Sequence, residues 1–395
     1  NRYGNFWSAG LGWNIHNESF VTSSKIDILK IRGSLGYTGK VNFSPFQAMT
    51  MYQFSGDLEY LNGIGAVPQG IGNEDLGWER ELSYNLGTDI SLFDRRLNFT
   101  FDIYLKKTTD LVLDASRAPS TGTTSAKENI GEMENKGLEF QVDGMLVQRN
   151  DFYWQVAATG SMNRNRILKI NSALKKANED ANKVDSKTPL AQYEEGESTT
   201  ALKVVKSAGI DPATGQEVFI KLNGERTFEY SADDKFVIGD TEPRFRGTVS
   251  TNLFYKGFSL YLLGRYECGA YLYNETRATK VEGANPKKNA DKRVFDSRWK
   301  NPGDIAFYKD IADSDGWGTN PKHSDRFVEK ENVFTLGTVN FGYEFGQNIC
   351  SKIGVRNLRV GVNLTDIVRW SNVKIERGTT YLYSNGFEFT LSTTF

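Results

Sequence analysis

Two histidines, His16 and His323, are the only imidazoles in a chain of 395 residues. His16 falls in what reads as a short turn and His323 in a long polar stretch, so a shared proton-transfer site is not expected. Cys268 and Cys350 are too few for a disulfide scaffold or a cysteine-rich zinc site. Gly63 and Gly65 lack the Lys-Ser/Thr and the strand-to-helix context of a phosphate loop. The acidic run Glu194-Glu195-Gly196-Glu197, and Asp310 with Asp313 and Asp315, offer oxygen ligands to Ca2+ but not EF-hand spacing, and a solvated loop face is the simpler expectation. Neither an enzyme nor a cofactor is expected. What remains is recognition: aromatic rings in polar stretches stack on sugars, anchor a partner protein, or pack the loops on one another. The expected contacts are Tyr52, Phe54, Tyr60, Trp299 and Trp317, with Arg265, Glu267 and Asn274 near one strand end; Phe307 and Tyr308 share the same composition.

These residues must be held by something, and the clearest element is Glu81 to Lys106. Leu82, Tyr84, Leu86, Thr88, Ile90 and Leu92 alternate with Glu81, Ser83, Asn85, Gly87, Asp89 and Ser91. After Phe93-Asp94-Arg95, Leu97, Phe99, Phe101, Ile103 and Leu105 alternate with Arg96, Asn98, Thr100, Asp102, Tyr104 and Lys106. Period two predicts an antiparallel hairpin with one apolar and one polar face. Each strand has roughly ten or more alternating positions, against a mode of about five or six in soluble sheets. Tilted by about 45°, roughly 9–11 residues cross a bilayer.

Composition permits that reading. Acidic and basic residues nearly cancel, at 49 and 48, which argues against a nucleic-acid surface. Mean hydropathy is -0.49, and no run of about 18 apolar residues exists to make a membrane helix. Membrane barrels escape that test, because their strands are half polar. Aromatic residues make up 13% of the chain, and 38 Gly stand beside only 9 Pro, which favours β structure with aromatic belts.

The same alternation recurs along the chain, giving about eleven strands of membrane length. Their connections alternate in length. Short joins fall near 16–24, 93–95, 148–151, 256–257 and 347–356, and long ones near 40–77, 107–130, 167–243, 271–332 and 366–384. Short periplasmic turns alternating with long extracellular loops predict an antiparallel transmembrane β-barrel, with residues 1–395 forming one all-β domain. The long excursion near 167–243 is expected to hold a short helix and a small hairpin around Ile210 to Gly215. Lipid must meet the row without charge, so Lys30, Arg32, Glu81, Asp89, Asp102, Arg246, Arg265 and Arg359 are assigned to the lumen. A basic residue turned to mid-bilayer lipid costs roughly 2–4 kcal/mol. In the last third, Val333, Thr335, Gly337, Val339, Phe341 and Tyr343 are assigned to one face. Cys268 and Cys350 then lie at opposite ends of the wall, about 25 Å apart, too far to pair.

An odd strand count is a misfit, since single-chain bacterial barrels usually have even numbers and an open edge in hydrocarbon leaves backbone groups unsatisfied. More strands are expected before Asn1. The chain starts without a basic n-region and an apolar h-region, so any export signal is expected to have been removed or to lie upstream.

Several segments in order, Leu29-Lys30-Ile31-Arg32-Gly33-Ser34-Leu35-Gly36-Tyr37-Thr38-Gly39, Asn73-Glu74-Asp75-Leu76-Gly77-Trp78-Glu79, Asn129 to Glu139, Gly209 to Gly215, Ile238 to Phe245, Arg298 to Pro302 and Val362-Asn363-Leu364, resemble the C-terminal half of the barrel in the SusC/RagA family of TonB-dependent outer-membrane transporters. The resemblance implies a barrel of about 22 strands with a plugged lumen, and a plug domain and TonB-contacting segment that are not in this sequence. It also implies a SusD-like surface lipoprotein lidding the barrel over an oligosaccharide or peptide, and an outer-membrane location. Where the family carries a proline-bearing stretch before the last strand, this chain has Gly378-Thr379-Thr380-Tyr381-Leu382-Tyr383. Energised import of a nutrient is the leading expectation. A passive porin or secretion barrel, or a surface adhesion protein, is the alternative.

Overall fold

The computed structural model describes the chain except residues 1–3, 42–43, 45–48, 61–62, 71, 117–124, 171, 185–187, 286–288, 290, 312–320 and 375–383, together with the side chains of 55–60, 64, 68–69, 113–116, 125–126, 130, 172–173 and 177. Strands run as β1 (Trp7–Asn14), β2 (Ile26–Lys40), β3 (Met51–Tyr60), β4 (Gly63–Gly70), β5 (Glu79–Leu92), β6 (Leu97–Ser116), β7 (Ser125–Arg149) and β8 (Phe152–Lys169). They continue as β9 (Ala201–Ile210), β10 (Glu217–Ile220), β11 (Arg226–Thr227), β12 (Lys235–Asp240), β13 (Phe245–Tyr255), β14 (Phe258–Tyr273), β15 (Val328–Glu344), β16 (Asn357–Ser371) and β17 (Gly386–Thr394). Eleven of them form one antiparallel sheet in the order β1-β2-β5-β6-β7-β8-β13-β14-β15-β16-β17. Chain order and sheet order agree, so the wall is an up-and-down meander into which two loop sheets are inserted. Among the described residues no helix is long and apolar enough to cross a membrane.

Alternation fixes the register. Leu86 stands opposite Gly33 on one side and Ile103 on the other, and Ile103 opposite Leu138, so the apolar row is continuous across four strands. A slip of one residue would turn the whole row over. On the other face Arg32 bridges neighbouring strands, with Nε 3.2 Å from Asp89 and an Nη 2.5 Å from Asp102. A Cβ on Gly87 would meet the Arg32 guanidinium and the Asp102 carboxylate, so a side chain here would have to displace the ends of both and disturb this ion pair. Rings gather toward both ends of the strands. Tyr255, Phe258, Phe341, Tyr343 and Phe345 pack together near the short turns, and Phe140, Phe245 and Tyr266 nearer the long connections.

The connections have distinct physical solutions. Lys256 (φ 45) and Gly257 (φ 90) close β13 on β14 with both residues left-handed, as a two-residue hairpin turn requires. At Gly257 a side chain would meet the Glu344 carbonyl. Phe93, Asp94 and Arg95 are all left-handed although none is glycine; the turn is held by Phe93 N donating to Lys25 O and Arg95 N to Asp27, each at 3.0 Å.

Three regions differ from the sequence reading. The stretch near 107–130 is mostly strand, because β6 continues to Ser116 and β7 starts at Ser125. Thr and Ser support extended pairing there, and the join narrows to 117–124. Within 40–77, β3 and β4 form a separate two-stranded hairpin. The third difference is a β-bulge. Leu263 faces Thr338 but Gly264 faces Leu336, which leaves Gly337 as an extra residue. Before the bulge it is therefore Phe334 and Leu336, not Val333, Thr335 and Gly337, that continue the outward row of Val339, Phe341 and Tyr343. Phe334 packs against Trp370 with the rings tilted by 34°, both exposed on that face, whereas Val333 is buried. A bulge shifts the pattern by one residue, and strict alternation cannot detect it.

Candidate functional site in the packed loops

The connections 170–244 and 274–327 leave the same end of the sheet and pack on each other. A four-stranded sheet, β11-β10-β9-β12, forms the base. Its central strand β9 places Val204 and Val205 fully inside. Val205 N donates to His323 O at 2.9 Å, and Ser207 N to an Asp325 carboxylate oxygen at 2.9 Å, so β9 grips the second connection by its backbone. Phe327, Val281, Ala278 and Tyr308 form the apolar core beside it.

Charge closes this body. Arg326 donates from Nε and one Nη to the two carboxylate oxygens of Glu217 (2.7 and 2.6 Å), and from both Nη to Glu282 (2.8 and 2.9 Å). The three side chains are only 6%, 6% and 3% exposed. Burial opposes the charge on Arg326, but Glu282 and Glu217 more than offset it and hold its pKa above the ordinary guanidinium value. Arg298 lies close by and donates instead to carbonyls of Val281, Glu282, Val294 and Lys309. Burial presses its pKa down. Two cations and two carboxylates thus sit together inside a loop assembly, with fork geometry suited to bidentate pairing.

A second polar centre lies under the helix α1 (Ser172–Lys183). Lys203, 6% exposed, is paired with Glu194 (2.6 Å) and Glu197 (2.7 Å). The acidic run considered above as a Ca2+ site is therefore folded around a lysine. Among the described residues no group of three or more His, Cys, Asp or Glu side chains could hold a metal ion, and Asp313 and Asp315 lie outside the described residues. Asn182 Oδ1 accepts from Gln192 (2.5 Å) and from Lys235 Nζ (2.8 Å). Cavities of about 570 and 250 Å³ open on either side of this junction.

The residues expected to make contacts are dispersed. Tyr52 and Phe54 project from the β3–β4 hairpin, 61% and 74% exposed. Tyr60 shares that hairpin, though its side chain, like Trp317, lies outside the described positions. Arg265 pairs with Asp366 at 3.4 Å on the charged face of the sheet, and Glu267 follows on that face opposite Arg246. Asn274 is 3% exposed and is used internally: its Nδ2 donates to Glu329 at 3.3 Å and its Oδ1 accepts from Arg277 N at 3.1 Å. Trp299 is 8% exposed, with Nε1 donating to Pro212 O at 2.9 Å and the ring lying over Gly215. Asn274 and Trp299 are thus parts of the loop packing rather than open binding faces, as are Phe307 and Tyr308, which carry Arg277 over their rings. His16 bonds the Leu29 backbone in a short turn, whereas His323 belongs to the loop body. Both cysteines are free, Cys350 being fully buried.

Sequence reasoning missed Arg326, Glu217, Glu282, Lys203 and Lys235. They sit in aperiodic polar stretches, and the one signal was that β-like pieces near 202–205 and 217–220 brought charged residues beside apolar ones.

The sequence profile described as "TonB dependent receptor-like, beta-barrel" matches residues 1–363. The chain is 26% identical over 420 residues to TonB-dependent receptor P39 of Formosa agariphila, covering 94% of this chain and 39% of that one. It is 31% identical over 182 residues to TonB-dependent receptor SusC of Bacteroides thetaiotaomicron, covering 43% and 18%. The RagAB peptide transporter structure superposes with a TM-score of 0.78 at 22% identity, over 94% of this chain and 41% of that one. The chain therefore spans about two fifths of the length of the curated relatives it matches along its whole length. Members of this family are receptors and transporters rather than enzymes. With the profile matched over residues 1–363 and the sheet arranged as an up-and-down wall, this chain belongs to the TonB-dependent receptor β-barrel family.

Proposed function

We propose that this chain is the C-terminal part of an outer-membrane importer that takes up an oligosaccharide or peptide by TonB-dependent transport, with a SusD-like surface lipoprotein over its mouth. The observation that carries the reading is an eleven-stranded wall whose long connections leave one end, two of them, 170–244 and 274–327, packing into a body of their own. The uncharged row faces lipid and the row of Arg32, Asp89 and Asp102 faces the lumen. The packed loops face outward and the short turns face the periplasm, as in outer-membrane barrels generally. Further strands complete a barrel of about 22, a size that encloses a plugged lumen, since β1 and β17 do not pair with each other and lipid tolerates no open edge. RagAB, whose fold this chain shares, is a peptide transporter, which supports import and a peptide among the candidate cargoes.

In such an importer this chain does no covalent work. The wall fixes the aperture, the loop body holds the mouth in one shape, and the Tyr52 and Phe54 hairpin offers exposed rings to cargo or lid. The test is uptake of labelled oligosaccharide and peptide pools by cells carrying the full-length transporter, with TonB present or deleted. Import lost without TonB supports the reading. Import that continues unchanged, following the outside concentration, would establish a passive porin instead. Recovery of a lipoprotein with the detergent-extracted barrel checks the lid, and a barrel recovered alone counts against it.

A further inference from the structure

The 250 Å³ cavity lies between the C-terminal end of α1, the turn before β12 and the 321–323 segment. Lys183, Lys235 and Lys322 line it with Tyr230, Asn182 and His323, and no carboxylate does so among the described residues. At a liquid share of about 30 Å³ per water, it holds roughly eight waters. That is more room than a simple ion needs.

The three ammonium groups are not equivalent. Lys183 is paired with Asp180 at 3.2 Å on the helix surface. Lys322, on the rim, sits 5.7 Å from the Tyr230 ring centroid. Lys235 is half buried and donates to the neutral Asn182 Oδ1 at 2.8 Å, and no carboxylate pairs with it among the described residues. The contrast with Lys203, also on this sheet but clamped by Glu194 and Glu197, is direct. A partly buried ammonium whose hydrogen bond goes to a neutral amide has given up hydration, and the charge of nearby Asp233 offsets that only in part.

We propose that this cavity is an anion site, in which Lys235, seconded by Lys322, receives a single carboxylate carried by the transported molecule. The count of one follows from the pairing above. Lys183 is compensated locally and the exposed Lys322 rests on a ring, so among the described lysines of this cavity Lys235 is the half-buried one without an ion pair. Burial, and secondarily the charge of Lys203, holds the Lys235 ammonium below the ordinary lysine pKa against the smaller opposing pull of Asp233, a strain that a bound carboxylate relieves. The chemistry is shared by a uronic acid on a glycan and an acidic side chain on a peptide. The inference rests on the import reading only in taking the carboxylate to belong to cargo.

Binding to the purified full-length transporter in detergent tests it without requiring transport. The probes are trigalacturonate against neutral galactotriose, and a blocked Glu-containing pentapeptide against its Gln counterpart, titrated calorimetrically. At least one acidic probe is expected to bind roughly tenfold or more tightly than its neutral match. That advantage should vanish in Lys235→Met, fall in Lys322→Met and survive in Lys235→Arg. It should also shrink as salt rises from about 0.1 to 1 M and the screening length falls from about 10 to 3 Å. The arm that responds identifies the source of the carboxylate. The proposal is overturned if neither acidic probe outbinds its neutral match, or if the advantage persists when Lys235 and Lys322 are both replaced. Should Lys235→Met fail to fold, Lys322→Met and the salt dependence of the wild type decide. Import itself is decided separately by uptake with and without TonB.

Discussion

Arg326 illustrates how a single side chain can hold two connections together, since it bonds Glu217, 109 positions earlier in the other connection, and Glu282, 44 positions earlier in its own. Removing it leaves two buried carboxylates without their ion-pair partner, Glu282 keeping, among the described residues, only the Lys309 N–H at 3.5 Å and the neighbouring Arg298 charge, and breaking a buried pair in this way typically costs about 3–5 kcal/mol. Arg326→Met should therefore expose 200–243 and 274–327 to limited proteolysis while the wall stays assembled; unchanged protection would show the fork to be dispensable. Replacing Arg326, Glu217 and Glu282 together by apolar residues of similar size should restore much of that protection, because it removes the uncompensated charge. Tyr230 gives a pH test of the same body. Burial raises its phenol to about 12, above the unfolded value near 10. The stability linked to this group is complete below the unfolded value and is lost as pH rises through the folded one. Protection of the loop body should accordingly weaken between about pH 10 and 12, and Tyr230→Phe should remove one late phenolate transition from the ultraviolet titration. An early transition near pH 10 for Tyr230 would contradict its burial.

At the scale of elements, what could be read from sequence and what could not divide along a physical line. Strands half exposed to an apolar medium must alternate, so β5 and the start of β6 were legible to within about two residues, whereas the end of β6, at Ser116 rather than near Lys106, was not. Gly337 was not, because a bulge adds a residue without altering composition, and the row before it is turned over. Deleting Gly337 should remove the bulge and restore strict alternation while leaving Phe334 and Leu336 on the outer face and Glu331, bonded to Arg369 at 2.5 Å and to Ser371, on the inner one. The heat-modifiable, folded band on a gel should therefore be largely retained, whereas deleting Val339, which is paired, should turn that row over and reduce the band several-fold; a Gly337 deletion as damaging as the Val339 one would contradict the bulge. The loop body was nearly illegible. Its small hairpin could be read from the turn residues around Pro212 and Gly215, but the pairing of β12 with β9 and the buried Arg326 fork are long-range contacts with no periodic signature. Trp299 was visible as an aromatic in a polar stretch, but nothing local shows that Pro212 and Gly215 cover it.

At the scale of the molecule, the proposed importer divides the labour between the wall and the body on its rim: the strands would supply a barrier with one face for lipid and one for cargo, and the packed loops the mouth. The family shared with P39 and SusC, and the fold shared with RagAB, are consistent with that division over two fifths of a longer protein. The central claim is that Leu86 and Phe101 face lipid while Asn85 and Thr100 face the lumen. Spin labels at each of these four positions, in the full-length transporter with Cys268 and Cys350 replaced by serine and reconstituted in bilayers, measure it through collisions with oxygen and with a water-soluble nickel chelate. Labels at 86 and 101 should be accessible to oxygen and shielded from nickel, and labels at 85 and 100 should be shielded from lipid-phase oxygen. Equal nickel access at all four, or the opposite alternation, would contradict a membrane wall in this register.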